Sequence, residues 1–123
     1  MTQILIVDDN RIILRLLVKE LTRNNFQVQT LNSIGLIWKY IRETRPDLVL
    51  LGLHSDSFNS WQILNDIKKK IPDLPVLIYA IKGDCSINSL KQAINEVLKN
   101  GSISSAFMFH AFKNKKSEHE KVE

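Results

Sequence analysis

The sequence predicts an α/β protein, a doubly wound parallel sheet of five strands with helices on both faces. Three observations carry this. The runs Ile4–Val7, Leu48–Leu51 and Val76–Ala80 are apolar without polar alternation, as strands buried on both faces require. Between such runs lie segments whose apolar residues recur every three or four positions, the period of an amphipathic helix. The two patterns alternate along the chain, and that alternation gives a parallel sheet with right-handed crossovers. At 123 residues the chain closes one such core, with no internal repeat.

Taken in order, Ile4–Val7 is the first strand, stopped by Asp8-Asp9-Asn10. Arg11–Arg23 follows as a helix with Ile13, Leu16, Leu17 and Leu21 on its inward stripe. Asn10 or Asp9 can cap its start, and Asn24-Asn25 can supply the left-handed residue that ends it. Phe26–Gln29 alternates like a strand. Ser33 can cap a second helix running through Arg42, with Ile37, Trp38 and Ile41 inward, until Pro46 stops it. Leu48–Leu51 is the third strand and ends in Gly52. A third helix opens between Ser57 and Ser60, carries Trp61, Ile63, Leu64 and Ile67, and closes on Lys68-Lys69-Lys70, favourable at a helix C-terminus. Pro72 and Pro75 bracket the turn into Val76–Ala80. Ser86–Lys99 is a fourth helix marked by Ile87, Leu90, Ile94, Val97 and Leu98, closed by Asn100-Gly101. Ile103–Phe112 is a fifth strand, centred on Ala106–Phe109. A fifth stretch with helical apolar spacing is lacking, so a last helix is short or missing. The domain then spans residues 1–112, and 113–123 is a solvated polar tail.

Composition excludes several classes. Hydrophobic residues at 44% and charged residues at 24% are those of a soluble globular domain. The net charge of +4 is spread over predicted helix faces, apart from Lys68–Lys70 and the lysines between 113 and 116, so no basic stripe for nucleic acid forms. The single cysteine, Cys85, makes no internal disulfide and has no metal-ligand spacing around it. No apolar run reaches membrane-spanning length and no signal peptide is visible, which places the domain in the cytoplasm.

Sheets of this class put ligands at the carboxyl ends of their strands. The residues delivered there are Asp8 and Asp9, Gly52 to Asp56, and Ala80 to Lys82. Two adjacent carboxylates repel each other and invite a cation, and their hard oxygens suit Mg²⁺ with several waters retained. The plainer alternative is that Asp8, Asp9 and Asn10 only cap a helix. A phosphate cradle is disfavoured, because the loop has no glycine and two carboxylates oppose an anion.

The stretches ILIVDDN and RPDLVLLGLH, with the helix between them, resemble the receiver domain of two-component response regulators, a flavodoxin-like (CheY-like) fold. The resemblance runs without a gap through the fourth strand and loosens beyond it. It implies a carboxylate pair that holds Mg²⁺ with an aspartate ending the third strand, that aspartate accepting a phosphoryl group from a histidine kinase. It also implies a hydroxyl residue ending the fourth strand and a lysine ending the fifth, which read the phosphate. Asp8 and Asp9 match the pair. The acceptor position, however, falls on Gly52, the hydroxyl position on Ala80, and the lysine position on His110. Ser55-Asp56 replaces a usual methionine-proline, and Ser60 a usual glycine. A second alignment makes Lys82 the family lysine and SLKQAINEVLKNGS the closing helix, with a strand and a helix deleted. The first is preferred, because such a deletion would bare an apolar sheet face.

The remaining candidates have plain explanations. His54, His110 and His119 share no ligand spacing. Trp38 and Trp61 are packing residues, and His54-Ser55-Asp56 has triad residue types without triad geometry. The function expected is that of a pseudo-receiver: no enzyme, no nucleic-acid contact, and a protein partner such as a histidine kinase, a phosphotransfer protein or an output domain. Mg²⁺ at Asp8 and Asp9 is expected to be weak or absent. The alternatives are a phosphoacceptor using Asp56 or Asp9, or a regulator whose acceptor aspartate was substituted by Gly52. The partner surface is expected on the first helix, at Arg11, Leu14, Arg15 and Val18, with Leu14 and Val18 an exposed apolar pair.

Overall fold

The structure, a computed structural model, describes residues 1–53, 57–80, 86–99 and 106–109. The elements run β1 (Gln3–Val7), α1 (Arg11–Arg23), β2 (Gln27–Leu31), α2 (Ile37–Thr44), β3 (Leu48–Gly52), α3 (Ser60–Lys70), β4 (Val76–Tyr79), α4 (Ser86–Lys99) and β5 (Ala106–Phe109). All pairings are parallel, and the strand order is β2-β1-β3-β4-β5. The stretch after β5, where a last helix is expected to be short or missing, and the polar tail of 113–123 lie outside the described residues.

Alternate strand residues sort to opposite faces, as the period of two demands. Ile4, Ile6, Leu48, Leu50, Leu77 and Tyr79 pack with Leu14, Leu17 and Leu21 of α1 and with Leu90, Ala93 and Ile94 of α4. Leu5, Val7, Val49, Leu51, Val76 and Ile78 pack on the other face against Ile37 and Ile41 of α2 and Leu64 and Ile67 of α3. The central strands β1, β3 and β4 are almost wholly enclosed, which is why their sequences carry no polar alternation.

Local chemistry sets the helix ends. Asn10 caps α1, its side chain accepting from the amides of Ile12 and Ile13 at 3.0 and 3.1 Å, and Asn25 takes the left-handed conformation with φ of 69°. The helix-closing turn still holds Phe26, whose amide donates to Leu21, so β2 starts one residue later than its alternation suggests. α2 begins at Ile37, not after Ser33. A turn from the Ile37 amide to the Ile34 carbonyl precedes it, and no side chain caps it. Asn59 caps α3. Lys68 does more than offset a helix dipole: its ammonium donates to the carbonyls of Pro72 and Leu74, tying the α3–β4 turn to the helix. Burial lowers its pKa, against the opposing pull of Asp73. Lys70 lies 5.0 Å from the centre of the Trp38 ring, which is half-buried, while Trp61 is 48% exposed and is no packing residue.

α4 departs from the expected hand of crossover. β3–α3–β4 and β4–α4–β5 step outward in the same direction, yet α3 and α4 lie on opposite faces, so the last connection has the opposite hand. The apolar stripe of Leu90, Ala93 and Ile94 is what draws α4 beside α1, and Lys91 reaches Glu20 at 3.4 Å across that junction.

Candidate functional site

The chain turns from β1 leftward to β2 and then rightward through β3, β4 and β5, so the switch point lies between the carboxyl ends of β1 and β3. Asp8 leaves β1 there and Gly52 ends β3 beside it. Register sets Tyr79, the last residue of β4, directly opposite Gly52. Gly52 and Tyr79 therefore face the same side of the sheet. Asp8, Asn10, Ile13, Gly52, Leu53, Tyr79 and Ala80 line a cavity of about 70 Å³ at this point. Three of the sequence-predicted residues, Asp8, Gly52 and Ala80, are thus brought together.

Their geometry is not that of an open acidic pair. Asp8 is buried at 7% exposure and turned inward. Its Oδ2 accepts a hydrogen bond from the Tyr79 hydroxyl at 2.5 Å, and its Oδ1 accepts from the Asn10 amide at 2.9 Å. Its own amide donates to the Leu31 carbonyl, fixing the backbone. A Cβ placed on Gly52 would lie 2.5 Å from Asp8 Oδ2 and 2.7 Å from Asp8 Cγ. The carboxylate occupies the space that any side chain at position 52 would enter. Gly52 is held in turn by Ser60, which is buried and donates to the Gly52 carbonyl at 2.5 Å. Asp9 lies apart from this cavity and accepts from the Ser57 hydroxyl at 3.2 Å. Among the described residues no group of three His, Cys, Asp or Glu side chains is placed to share a metal ion. The arrangement does not fit Mg²⁺: one carboxylate is turned inward and hydrogen-bonded on both oxygens, and position 52 offers no ligand.

Tyr79 is the residue that sequence reasoning missed. It stands in an apolar run and is 1% exposed, so it passes for a core aromatic. The signal that could have found it is its hydroxyl, since a buried tyrosine needs a partner. Burial first, then the charge and hydrogen bond of Asp8 and the charge of Asp9, hold its pKa well above the ordinary value. The unfolded chain loses this proton near about pH 10, whereas the folded protein keeps it. Stability from this group is therefore full below about pH 10 and falls as pH rises above it, by up to about 1.4 kcal/mol per pH unit. Urea unfolding between neutral and strongly alkaline pH should show a steeper loss in wild type than in Tyr79→Phe. Equal slopes would refute the assignment.

The expected partner surface needs correction. Leu14 is buried at 8% and packs with Leu17 and Leu21 in the core, and Val18 is half-buried. The exposed aliphatics of α1 are Ile12 at 75% and Leu16 at 36%, beside the exposed Arg11 and Arg15. α1 is aliphatic at Ile12, Ile13, Leu14, Leu16, Leu17, Val18 and Leu21, so two stripes satisfy the helical period and the sheet selects one. His54, Ser55, Asp56, Lys82, Cys85, His110 and His119 lie outside the described residues, so neither alignment of the family lysine is placed.

Strand order 2-1-3-4-5 with a carboxylate at the β1/β3 switch point defines a flavodoxin-like α/β domain. The chain belongs to the response regulator receiver domain family, whose model matches residues 4–102. A receiver is a signalling module rather than an enzyme. Among curated proteins, the chain is 33% identical over 75 residues to the DNA-binding transcriptional regulator NtrC of Rhizobium meliloti (strain 1021), covering 61% of this chain and 16% of that protein. It is 31% identical over 80 residues to the transcriptional regulatory protein GlrR of Escherichia coli (strain K12), covering 65% of this chain and 18% of that protein. The chain thus spans less than a fifth of these relatives. Among solved structures, response regulator TrrA from Thermotoga maritima, in complex with Mg²⁺-BeF, superposes with a TM-score of 0.65 at 18% identity, covering 99% of this chain and 97% of that one. The N-terminal domain of a response regulator receiver protein from Methanoculleus marisnigri JR1 gives 0.64 at 23% identity, covering 99% and 92%. These likenesses show the fold. No helix among the described residues is long and apolar enough to cross a membrane.

Proposed function

We propose that this receiver domain signals without an aspartyl phosphate, as a cytoplasmic pseudo-receiver that acts by binding a protein partner in a two-component pathway. The observation that carries the reading is the Asp8 carboxylate lying over Gly52, where an acceptor side chain would stand. Phosphoryl transfer to a carboxylate needs that carboxylate in line with the donor, and a cation to neutralise the incoming oxygens. Gly52 supplies no nucleophile, and Asp8 is committed to Tyr79 and Asn10. Ala80, buried at 3%, has no hydroxyl to follow a phosphate. The acceptor position and the hydroxyl position are thus both without the groups the family uses there.

Incubation with acetyl phosphate and Mg²⁺, followed by intact-mass measurement, is the test. The expected result is no gain. A gain of one phosphoryl mass, mapped by peptide to Asp9 or Asp56, would replace this reading with that of a receiver using a displaced acceptor.

A further inference from the structure

We propose that Tyr79 stands in for the divalent cation at this site: its hydroxyl provides the positive pole that holds Asp8, and so closes the acidic pocket to magnesium. The inference rests on the pseudo-receiver reading and deepens it, because it makes Tyr79 the residue that decides whether the pocket takes a metal.

Three positions form one set. Gly52 leaves open the space beside β1, the Asp8 carboxylate fills it, and the Tyr79 hydroxyl, one strand further out, secures the carboxylate. A hydroxyl donating to a carboxylate at 2.5 Å is a short, charge-assisted hydrogen bond. For Asp8 Oδ2 to coordinate a cation it must give up the Tyr79 hydroxyl, and that hydroxyl, on a residue 1% exposed, then loses its protein acceptor. The cavity of about 70 Å³ has room for a water or two. Mg²⁺ needs a near-octahedral shell of oxygens, and with Asp8 bound to Tyr79 and Asn10 and no side chain at position 52 this pocket offers it few. Restoring a carboxylate at position 52 alone does not reopen the site. The new side chain meets Asp8 while Asp8 is still held by Tyr79.

Magnesium chloride is the probe, applied to the full chain in calorimetric titration and thermal-shift measurements. Wild type, Tyr79→Phe, Gly52→Asp and the double variant Gly52→Asp/Tyr79→Phe are compared. Wild type and Gly52→Asp are expected to show no magnesium-dependent shift in the millimolar range. The double variant should bind at least roughly tenfold more tightly than either, the scale on which groups that orient metal ligands act. Wild type binding magnesium in the millimolar range would overturn the proposal, as would Gly52→Asp alone matching the double variant. If Tyr79→Phe does not fold, the wild type still decides: with ring-carbon-labelled tyrosine, the Tyr79 NMR signal should be unmoved by magnesium, and a saturable shift would refute the assignment. None of these measurements involves phosphate. A phosphoryl gain on Asp9 or Asp56 would remove the pseudo-receiver reading and leave the Tyr79 result standing.

Discussion

Leu14→Asp abolishes cooperative folding or lowers the melting temperature by about 15 °C or more, whereas Leu16→Asp melts within a few degrees of wild type. Leu14 sits at 8% exposure in the core cluster that α1 and α4 form with this face of the sheet. A carboxylate there has no donor, and enclosing an unpaired charge costs several kcal/mol, about 3–5 or more. A domain of this size is stable by about 5–15 kcal/mol in all, so most of that margin is consumed. Leu16 projects outward beside Arg15, and its replacement exposes nothing. Circular dichroism melts of the two variants check the orientation of α1. Similar melting temperatures would mean that α1 presents a different stripe to the sheet.

Gly52→Ala lowers stability by about 1–3 kcal/mol, although glycine in a strand is ordinarily worse than alanine by about 0.5–1 kcal/mol. The sign is what identifies the mechanism. The added methyl meets Asp8 Oδ2 at 2.5 Å and Cγ at 2.7 Å, contacts that no real Cβ tolerates. Asp8 is too short to bend aside and must rotate away. It then loses the bonds from Tyr79 and Asn10 and leaves a buried hydroxyl unsatisfied. Urea unfolding of Gly52→Ala in wild-type and Asp8→Ala backgrounds separates this from a general loss. The alanine should be harmless, or mildly stabilising, once the Asp8 carboxylate is gone. A penalty of the same size in both backgrounds would place the conflict elsewhere.

The sequence by itself determined the sheet, the family and where a candidate site is to be sought. Unbroken apolar runs such as Leu48–Leu51 have one good solution, a strand covered on both faces, and the acidic pair after β1 and the glycine after β3 follow from the ends of those runs. The bounds of α1 and a cap at Asn10 or Asp9 were legible for the same reason, because capping and periodicity are local, and the structure takes Asn10. The tertiary structure decided what local pattern leaves degenerate. The aliphatic residues of α1 surround more than one face, so only packing against β1 and β3 selects Leu14 over Leu16. The face taken by α4 likewise depends on α1 being there to receive it. Most of all, the partner of Asp8 lies 71 residues away, in a strand whose pattern announces only burial. Side-chain alternation tells which face Tyr79 occupies, but a hydrogen bond between two strands separated by a third exists only once the sheet is assembled in register.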